Sequence, residues 1–133
     1  MAFYRTREGA ITAADSFTAL DSLYGQSTTA SIQVPAGSSQ IVGIIASVST
    51  DSATNGATTF AVQLSGDGLS NGQESICIGS QGVDGTPASN GSGNPSVNYD
   101  VAIPCVGSNQ VSVAVAMDVD VGSAQASITL VFN

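Results

Sequence analysis

Residues 111–132, VSVAVAMDVDVGSAQASITLVF, decide the fold of this chain. In the first half an apolar residue stands at every odd position from Val111 to Val121, with a small or acidic residue between each pair. A period of two places the apolar side chains on one face of a β-strand, whereas a helix needs a period of 3.6. Residues 124–132 alternate in the same way, and Gly122 and Ser123 separate the two halves. The stretch therefore predicts two strands joined as a β-hairpin.

The same pattern recurs upstream. Residues 28–34, 58–65 and 96–103 alternate between apolar and polar, and residues 73–80 predict a shorter strand, whereas residues 40–49, QIVGIIASVS, are apolar on both faces. Such a strand is typical of the centre of a sheet, where it is covered on both sides. Clusters of Gly, Pro, Ser and Asn separate these runs, without regular alternation of strands and helices. The sequence predicts an all-β protein, an antiparallel β-sandwich or small barrel of about eight strands.

The N-terminal part of the chain has a different pattern. Residues 1–10 contain both arginines of the protein and two aromatic residues but little else that could join a core, which indicates an arm. In residues 11–24 apolar side chains recur at every third position from Ile11 to Leu23, which favours a short helix. The predicted organisation is an N-terminal arm over residues 1–24 and one β-sandwich domain over residues 25–133.

Composition and charge restrict the partners. A chain of 133 residues is enough for one domain, and 42% hydrophobic against 9% charged residues is typical of a folded protein. The net charge is −8, and the only positive side chains are those of Arg5 and Arg7. Nucleic-acid binding needs a basic surface, so it is excluded, and the same sign argues against an anionic membrane. The longest apolar run, at 41–48, is too short to span a bilayer.

The side chains of most catalytic sites are missing from the sequence. It has no histidine and no lysine, which excludes Ser-His-Asp and Cys-His nucleophiles, His-bound zinc and Schiff bases. Paired carboxylates remain, as in a glycosidase, but such enzymes hold sugars on aromatic side chains. Aromatic residues are only 5% of this chain, without tryptophan. We predict that the protein is not an enzyme and needs no cofactor.

Two aspartates and two cysteines are the remaining candidates for site chemistry. Asp118 and Asp120, two apart on one predicted strand, place their carboxylates on one face and are candidate ligands for a hard cation such as Ca²⁺. The alternative is that they keep a solvent-facing strand soluble and discourage edge pairing. Cys77 and Cys105 lie in apolar runs, which is typical of small buried residues, and one disulfide between them is the alternative.

An arm with the only positive charges beside an acidic body suggests a mode of assembly. Arg5 and Arg7 of one subunit would contact an acidic face of a neighbouring subunit, while Phe3 and Tyr4 would anchor in an apolar groove. The alternative is that the arm is a frayed terminus with no partner. These four residues are therefore the candidate assembly residues.

The strand pattern resembles that of the single jelly-roll proteins of icosahedral virus shells, both the small major capsid proteins and the cement proteins that decorate capsids. The stretches that carry the resemblance are SIQVPAGSSQIVGIIASVS at 31–49 and VSVAVAMDVDVGSAQASITLVF at 111–132. It implies a jelly-roll β-sandwich, a structural role in the virion, homo-oligomers of three or more subunits and no catalytic residues. The absence of lysine favours the outer surface of the shell over a position beside packaged nucleic acid.

Two other classes of protein fit the same features. An extracellular carbohydrate- or calcium-dependent adhesion module would use the Gly-, Ser- and Asn-rich loop at 80–95 together with the acidic side chains. A subunit of an extracellular filament would use the arm for open-ended growth. Both would be exported, although residues 1–11 carry no apolar segment of a secretory signal.

Overall fold

The computed structural model of the chain describes residues 2–11, 13–50, 55–84, 96–117 and 124–133. Regular structure in these residues is entirely β-strand, which confirms the all-β prediction. No helix of the described residues is long and apolar enough to cross a membrane. The strands are β1 Phe3–Ile11, β2 Thr18–Ala19, β3 Ser22–Leu23, β4 Gln26–Ser27, β5 Ser31–Gln33, β6 Gln40–Thr50, β7 Asn55–Ser65, β8 Gln73–Asp84, β9 Ser96–Pro104, β10 Gln110–Met117 and β11 Ala124–Phe132.

The strands form two antiparallel sheets that pack face to face. The six-stranded sheet has the order β4-β3-β1-β11-β6-β9, and the five-stranded sheet has the order β2-β10-β7-β8 with β5 also paired to β10. Apolar side chains from both sheets form one buried cluster between them, which is the arrangement of a β-sandwich. The antiparallel β-sandwich predicted from the sequence is therefore confirmed.

The pairing of strands follows the jelly-roll rule. β2 and β5 lie along the same side of β10 and act as two parts of one interrupted strand, with the small β3–β4 hairpin inserted between them. The first strand then pairs with the last, β2 and β5 with β10, β6 with β9, and β7 with β8. This is a long antiparallel ribbon that is rolled up so that its halves fall into two sheets.

The predicted hairpin between β10 and β11 is wrong. β10 belongs to the five-stranded sheet, whereas β11 lies between β1 and β6 in the six-stranded sheet. Both strands alternate as predicted, but their apolar faces meet across the core instead of lying on one sheet. In a rolled ribbon most strands pair with distant parts of the chain, so adjacency in sequence did not reveal the partners.

The core lies between the sheets and is built from alternate residues. In β10 the residues Val111, Val113, Val115 and Met117 are buried, while the residues between them are half-buried on the opposite face. The two phenylalanines of the core, Phe60 on β7 and Phe132 on β11, are its largest fully buried side chains. Full burial of such a side chain stabilises the fold by about 2 kcal/mol.

Strand β6 is covered on one face rather than on both, contrary to the sequence prediction. Ile44, Ala46 and Val48 are buried, but Ile45 is 37% exposed and Ser47 is exposed on the other face. The strand lies between β11 and β9, so it is interior within its sheet. A sandwich has only two layers, and the outer face of each sheet meets solvent unless a third layer covers it.

Residues 3–11 form a full strand of the sandwich instead of an arm outside it. β1 pairs with β11 along nine residues, from Phe3 opposite Phe132 to Ile11 opposite Ala124. This pairing satisfies the backbone hydrogen-bonding groups on one edge of a segment whose central side chains are polar. Sequence periodicity missed the strand because Tyr4, Arg5, Thr6, Arg7 and Glu8 show no apolar alternation.

The helix predicted in residues 11–24 is also wrong, because the described residues of this segment form short strands and turns. Asp15 and Tyr24 have positive φ angles of 57° and 52°, which no right-handed helix contains. Leu20, fully buried, donates its backbone N–H to the carbonyl of Val113 on β10. Of the residues spaced by threes, Ile11 and Leu20 are buried but Phe17 is 42% exposed, so the spacing does not mark one face of a helix.

Candidate functional site: the arginine pocket beside strand β1

The candidate assembly residues lie on β1, at one side of the sandwich. Alternation along the strand places Phe3, Arg5 and Arg7 on the same face as Gly9 and Ile11, which are buried against the other sheet. Phe3 is half-buried and packs against the core cluster. The apolar part of the predicted anchor therefore already contacts the protein's own core.

Both arginines border a cavity of about 380 Å³ between β1 and the segment that follows β5. We call this cavity the arginine pocket. It is open to solvent and is lined from both sheets, because β1 belongs to the six-stranded sheet and β5 pairs with β10 of the five-stranded sheet. Its described lining residues are Arg5, Arg7, Ile32, Gln33, Val34, Pro35, Ala36 and Ser108.

Arg7 is fixed in the wall of the pocket by three backbone carbonyls. Its Nε donates to the carbonyl of Thr29 at 2.9 Å, Nη2 to that of Ser31 at 3.0 Å and Nη1 to that of Thr6 at 2.8 Å. Thr29 and Ser31 lead into β5, so this one side chain ties the six-stranded sheet to the five-stranded sheet. Arg7 therefore has a structural role inside its own chain.

Arg5 is held much more loosely. Its Nη1 donates one hydrogen bond, to the carbonyl of Tyr4 at 3.0 Å, and its side chain is exposed. A guanidinium has five N–H donors, so most of those of Arg5 face the pocket or solvent. Within the described residues, every hydrogen bond from either arginine ends on a backbone carbonyl and none on a carboxylate.

Three aromatic side chains are exposed among the described residues. Tyr4 is 59% exposed on the outer face of β1, and Tyr24 is 85% exposed at the tip of the β3–β4 hairpin. A second cavity, of about 440 Å³, lies beside Phe17, which is 42% exposed. Its described lining residues are Asp15, Phe17, Thr59, Ala61, Ala116 and Met117.

The other sequence candidates fall partly outside what the structure describes. Asp118 and Asp120 lie outside the described residues, so the cation hypothesis for them stays a prediction. Among the described residues no three acidic, cysteine or histidine side chains form a group that could hold a metal ion. Residues 85–95, which are most of the predicted loop at 80–95, also lie outside the described residues.

Cys105 is a free, buried thiol, as predicted for a small core residue. Loss of solvation on burial raises the pKa of this thiol above its ordinary value. A neutral thiol is a poor nucleophile, so the position is suited to packing rather than to chemistry. The side chain of Cys77 is not among the described ones.

Sequence patterns gave no sign of the groups that complete the arginine pocket. The acceptors for Arg7 are backbone carbonyls of Thr29 and Ser31, and any residue type offers the same atoms. Two arginines spaced by two on one strand were the single available signal, because that spacing places both side chains on one face.

Comparison with known proteins places the chain by its fold. No protein-family model matches the sequence, and no curated protein matches it. The chain is similar in structure to VP2 of the infectious bursal disease virus subviral particle, with a TM-score of 0.52 and 11% identity. That match covers 99% of this chain and 32% of VP2, so the chain spans about a third of that protein. The class defined by this likeness and by the strand order is a jelly-roll β-sandwich.

Looser matches include a second capsid and a pilus. The capsid of Helicobacter pylori bacteriophage KHP30 matches with a TM-score of 0.42 and 13% identity, over 100% of this chain and 94% of that one. The disulfide-linked pili of Bacillus endospore appendages match with a TM-score of 0.39 and 9% identity, over 99% and 88%. Viral capsid proteins are thus among the solved structures that are similar to this chain.

Proposed function

We propose that this protein is a structural subunit of a virus shell, a capsid or cement protein that assembles with copies of itself or with neighbouring capsid subunits. The observation that carries the proposal is the jelly-roll topology over almost the whole chain, together with its similarity to the VP2 fold. A jelly roll leaves two outer sheet faces and two sides available for contacts between subunits. Its role would be to form and stabilise the shell, without catalysis and without a cofactor.

The charge of the chain supports a position on the outer surface of the virion. A net charge of −8 with no lysine would repel packaged nucleic acid, so the neighbours of this subunit are proteins. The same charge makes like subunits repel one another at long range. Assembly therefore requires specific contacts that offset the repulsion, and homo-oligomers of three or more subunits would provide them by repetition.

The β1 surface is the proposed contact region. Tyr4 and Arg5 are exposed there, whereas Phe3 and Arg7 serve the fold of their own chain. Deleting residues 1–10 would remove most of a strand that pairs along nine residues, so the loss of assembly after such a deletion would be uninformative. Point substitutions at the exposed positions test the surface and leave the strand in place.

The test is the native mass of the full chain, measured by light scattering over a range of protein concentrations and followed by negative-stain electron microscopy. We expect closed oligomers or shell-like particles. Tyr4→Ser should reduce assembly, while Ser49→Ala, on the exposed face of β6, serves as the matched control. A monomer at all concentrations, alone and with added capsid, would contradict the proposal and would favour a monomeric binding module. Open-ended fibres would favour the filament subunit.

A further inference from the structure

We propose that the arginine pocket binds the carboxylate of Asp100 from a second copy of this chain, so that copies join through opposite sides of the sandwich. This inference rests on the proposed function and names the partner group of the β1 surface. It concerns one side formed by β1, β3, β4 and β5, and the other side formed by β8 and β9. Within the described residues the end strands of the six-stranded sheet are β4 and β9, and those of the five-stranded sheet are β2 and β8, with β5 beside β10 on the β2 side.

The chemistry of the pocket selects a carboxylate. The guanidinium of Arg5 presents a planar fork of N–H donors, which matches the two oxygens of a carboxylate. Arg7 is positioned beside it by three backbone carbonyls, so a second positive charge is held at the same cavity. Aspartate and glutamate make up ten residues of the chain against two arginines. A second copy is therefore an abundant source of the matching group.

The arginines lack a carboxylate partner in their own chain, within the part that the structure describes. Three described carboxylates accept hydrogen bonds from their own chain, namely those of Glu8, Asp67 and Glu74. Asp100 is exposed and has no such bond among the described residues. An unpaired carboxylate and an unpaired guanidinium on one chain are complementary between copies.

The position of Asp100 in the sheet indicates which sides of two copies meet. It lies on β9, which is separated from β1 by β11 and β6, so about 14 Å of sheet lies between the two strands. The β8–β9 side carries Asp100 and Glu74 and no positive side chain. The β1 side carries Glu8 and Asp21 beside its two arginines, so in a contact between two such sides each arginine would meet both acidic and basic groups, whereas the β8–β9 side offers acidic groups alone. Charge complementarity therefore favours joining opposite sides, and such head-to-tail contacts generate rings or extended assemblies.

Charge reversal on both sides tests the contact. Arg5→Glu and Asp100→Arg are made separately, and self-association is measured by sedimentation velocity at low salt. Each variant alone should associate about tenfold more weakly than the unchanged chain. An equal mixture of the two should recover most of the association, because each reversed side then meets an opposite charge on the other variant. Circular dichroism and thermal melting verify that both variants fold.

The controls separate this contact from a general effect of charge. Asp100→Arg lowers the net negative charge, so weaker long-range repulsion alone would strengthen association, whereas the proposed contact requires that it weaken. Asp21→Arg makes the same change on the β1 side and should not weaken association.

Three results would overturn the inference while leaving the proposed function in place. They are unchanged association of either reversed variant, no recovery in the mixture, and equal loss with Asp21→Arg. A monomeric unchanged chain would instead contradict the proposed function itself.

Discussion

Strands β1 and β11 lie side by side and are paired along nine residues, yet different interactions hold them. The large residues of β11 that face the core are Ile128, Leu130 and Phe132, all with no exposed surface. Their partners across the pair are, in the same order, Arg7, Arg5 and Phe3. Besides the backbone pairing that the two strands share, the C-terminal half of β11 is held by apolar packing, whereas the central part of β1, between the core contacts of Phe3 and Ile11, is held by the hydrogen bonds of Arg7.

The largest expected loss of stability comes from removing an apolar side chain of β11. Leu130→Ala removes a fully buried side chain and leaves a cavity, so we expect a loss of about 2–5 kcal/mol in the free energy of unfolding. Urea denaturation followed by circular dichroism measures it, since the chain has no tryptophan. Arg5→Ala, at the position paired with Leu130, is the matched control and should change stability by less than about 0.5 kcal/mol. Equal losses in the two variants would contradict the contrast between the strands.

A smaller loss of stability should follow when the hydrogen bonds of Arg7 on β1 are removed. Arg7→Met keeps much of the apolar stem but removes three hydrogen bonds to backbone carbonyls, so we expect a loss of about 1–3 kcal/mol. Arg7→Lys keeps the charge but not the planar fork and should fall between the two. If Arg7→Met were as stable as the unchanged chain, the side chain would not tie the two sheets together.

The same contrast explains which parts of the fold could be predicted from the sequence. Strands with one buried face, such as β10, show period-two alternation in the sequence, and the all-β sandwich was predicted from these strands. β1 has no such signal, because the residues of its central part are polar and their strand conformation comes from pairing with β11. Pairing partners were also hidden, since a jelly roll joins the first strand to the last.

The candidate site was predictable only in part and for a related reason. Arg5 and Arg7 were singled out as the only positive charges, and the structure places both at one cavity. Their different environments depend on carbonyls of Thr29 and Ser31, which carry no signature in the sequence. The sequence therefore indicated that these two positive charges matter. It did not indicate that Arg7 is fixed within its own chain while Arg5 stays exposed.

The buried thiol of Cys105 leads to a prediction about how the stability of the core depends on pH. Burial raises the pKa of its thiol in the folded state, so the unfolded state loses its proton first as the pH rises. The stability contributed by the neutral thiol is complete below the unfolded pKa and declines as pH rises from there through the folded pKa. Cys105→Ala should remove this decline, and thermal melts at successive alkaline pH values measure it. An identical decline in that variant would assign it to other groups.

The smallest expected effect is a gain of stability, and it concerns the β3–β4 hairpin beside β1. Tyr24 and Gly25 join β3 to β4 as a two-residue turn with φ angles of 52° and 74°, the geometry of a type I′ turn. Asparagine tolerates the first of these angles better than tyrosine, so Tyr24→Asn should stabilise the protein by a few tenths of a kcal/mol. Gly25→Ala, with a side chain in the left-handed region, should destabilise by about 1 kcal/mol under the same denaturation assay. Because the hairpin extends the sheet beyond β1, a loss of stability with Tyr24→Asn would mean that the exposed ring itself supports this side of the sandwich.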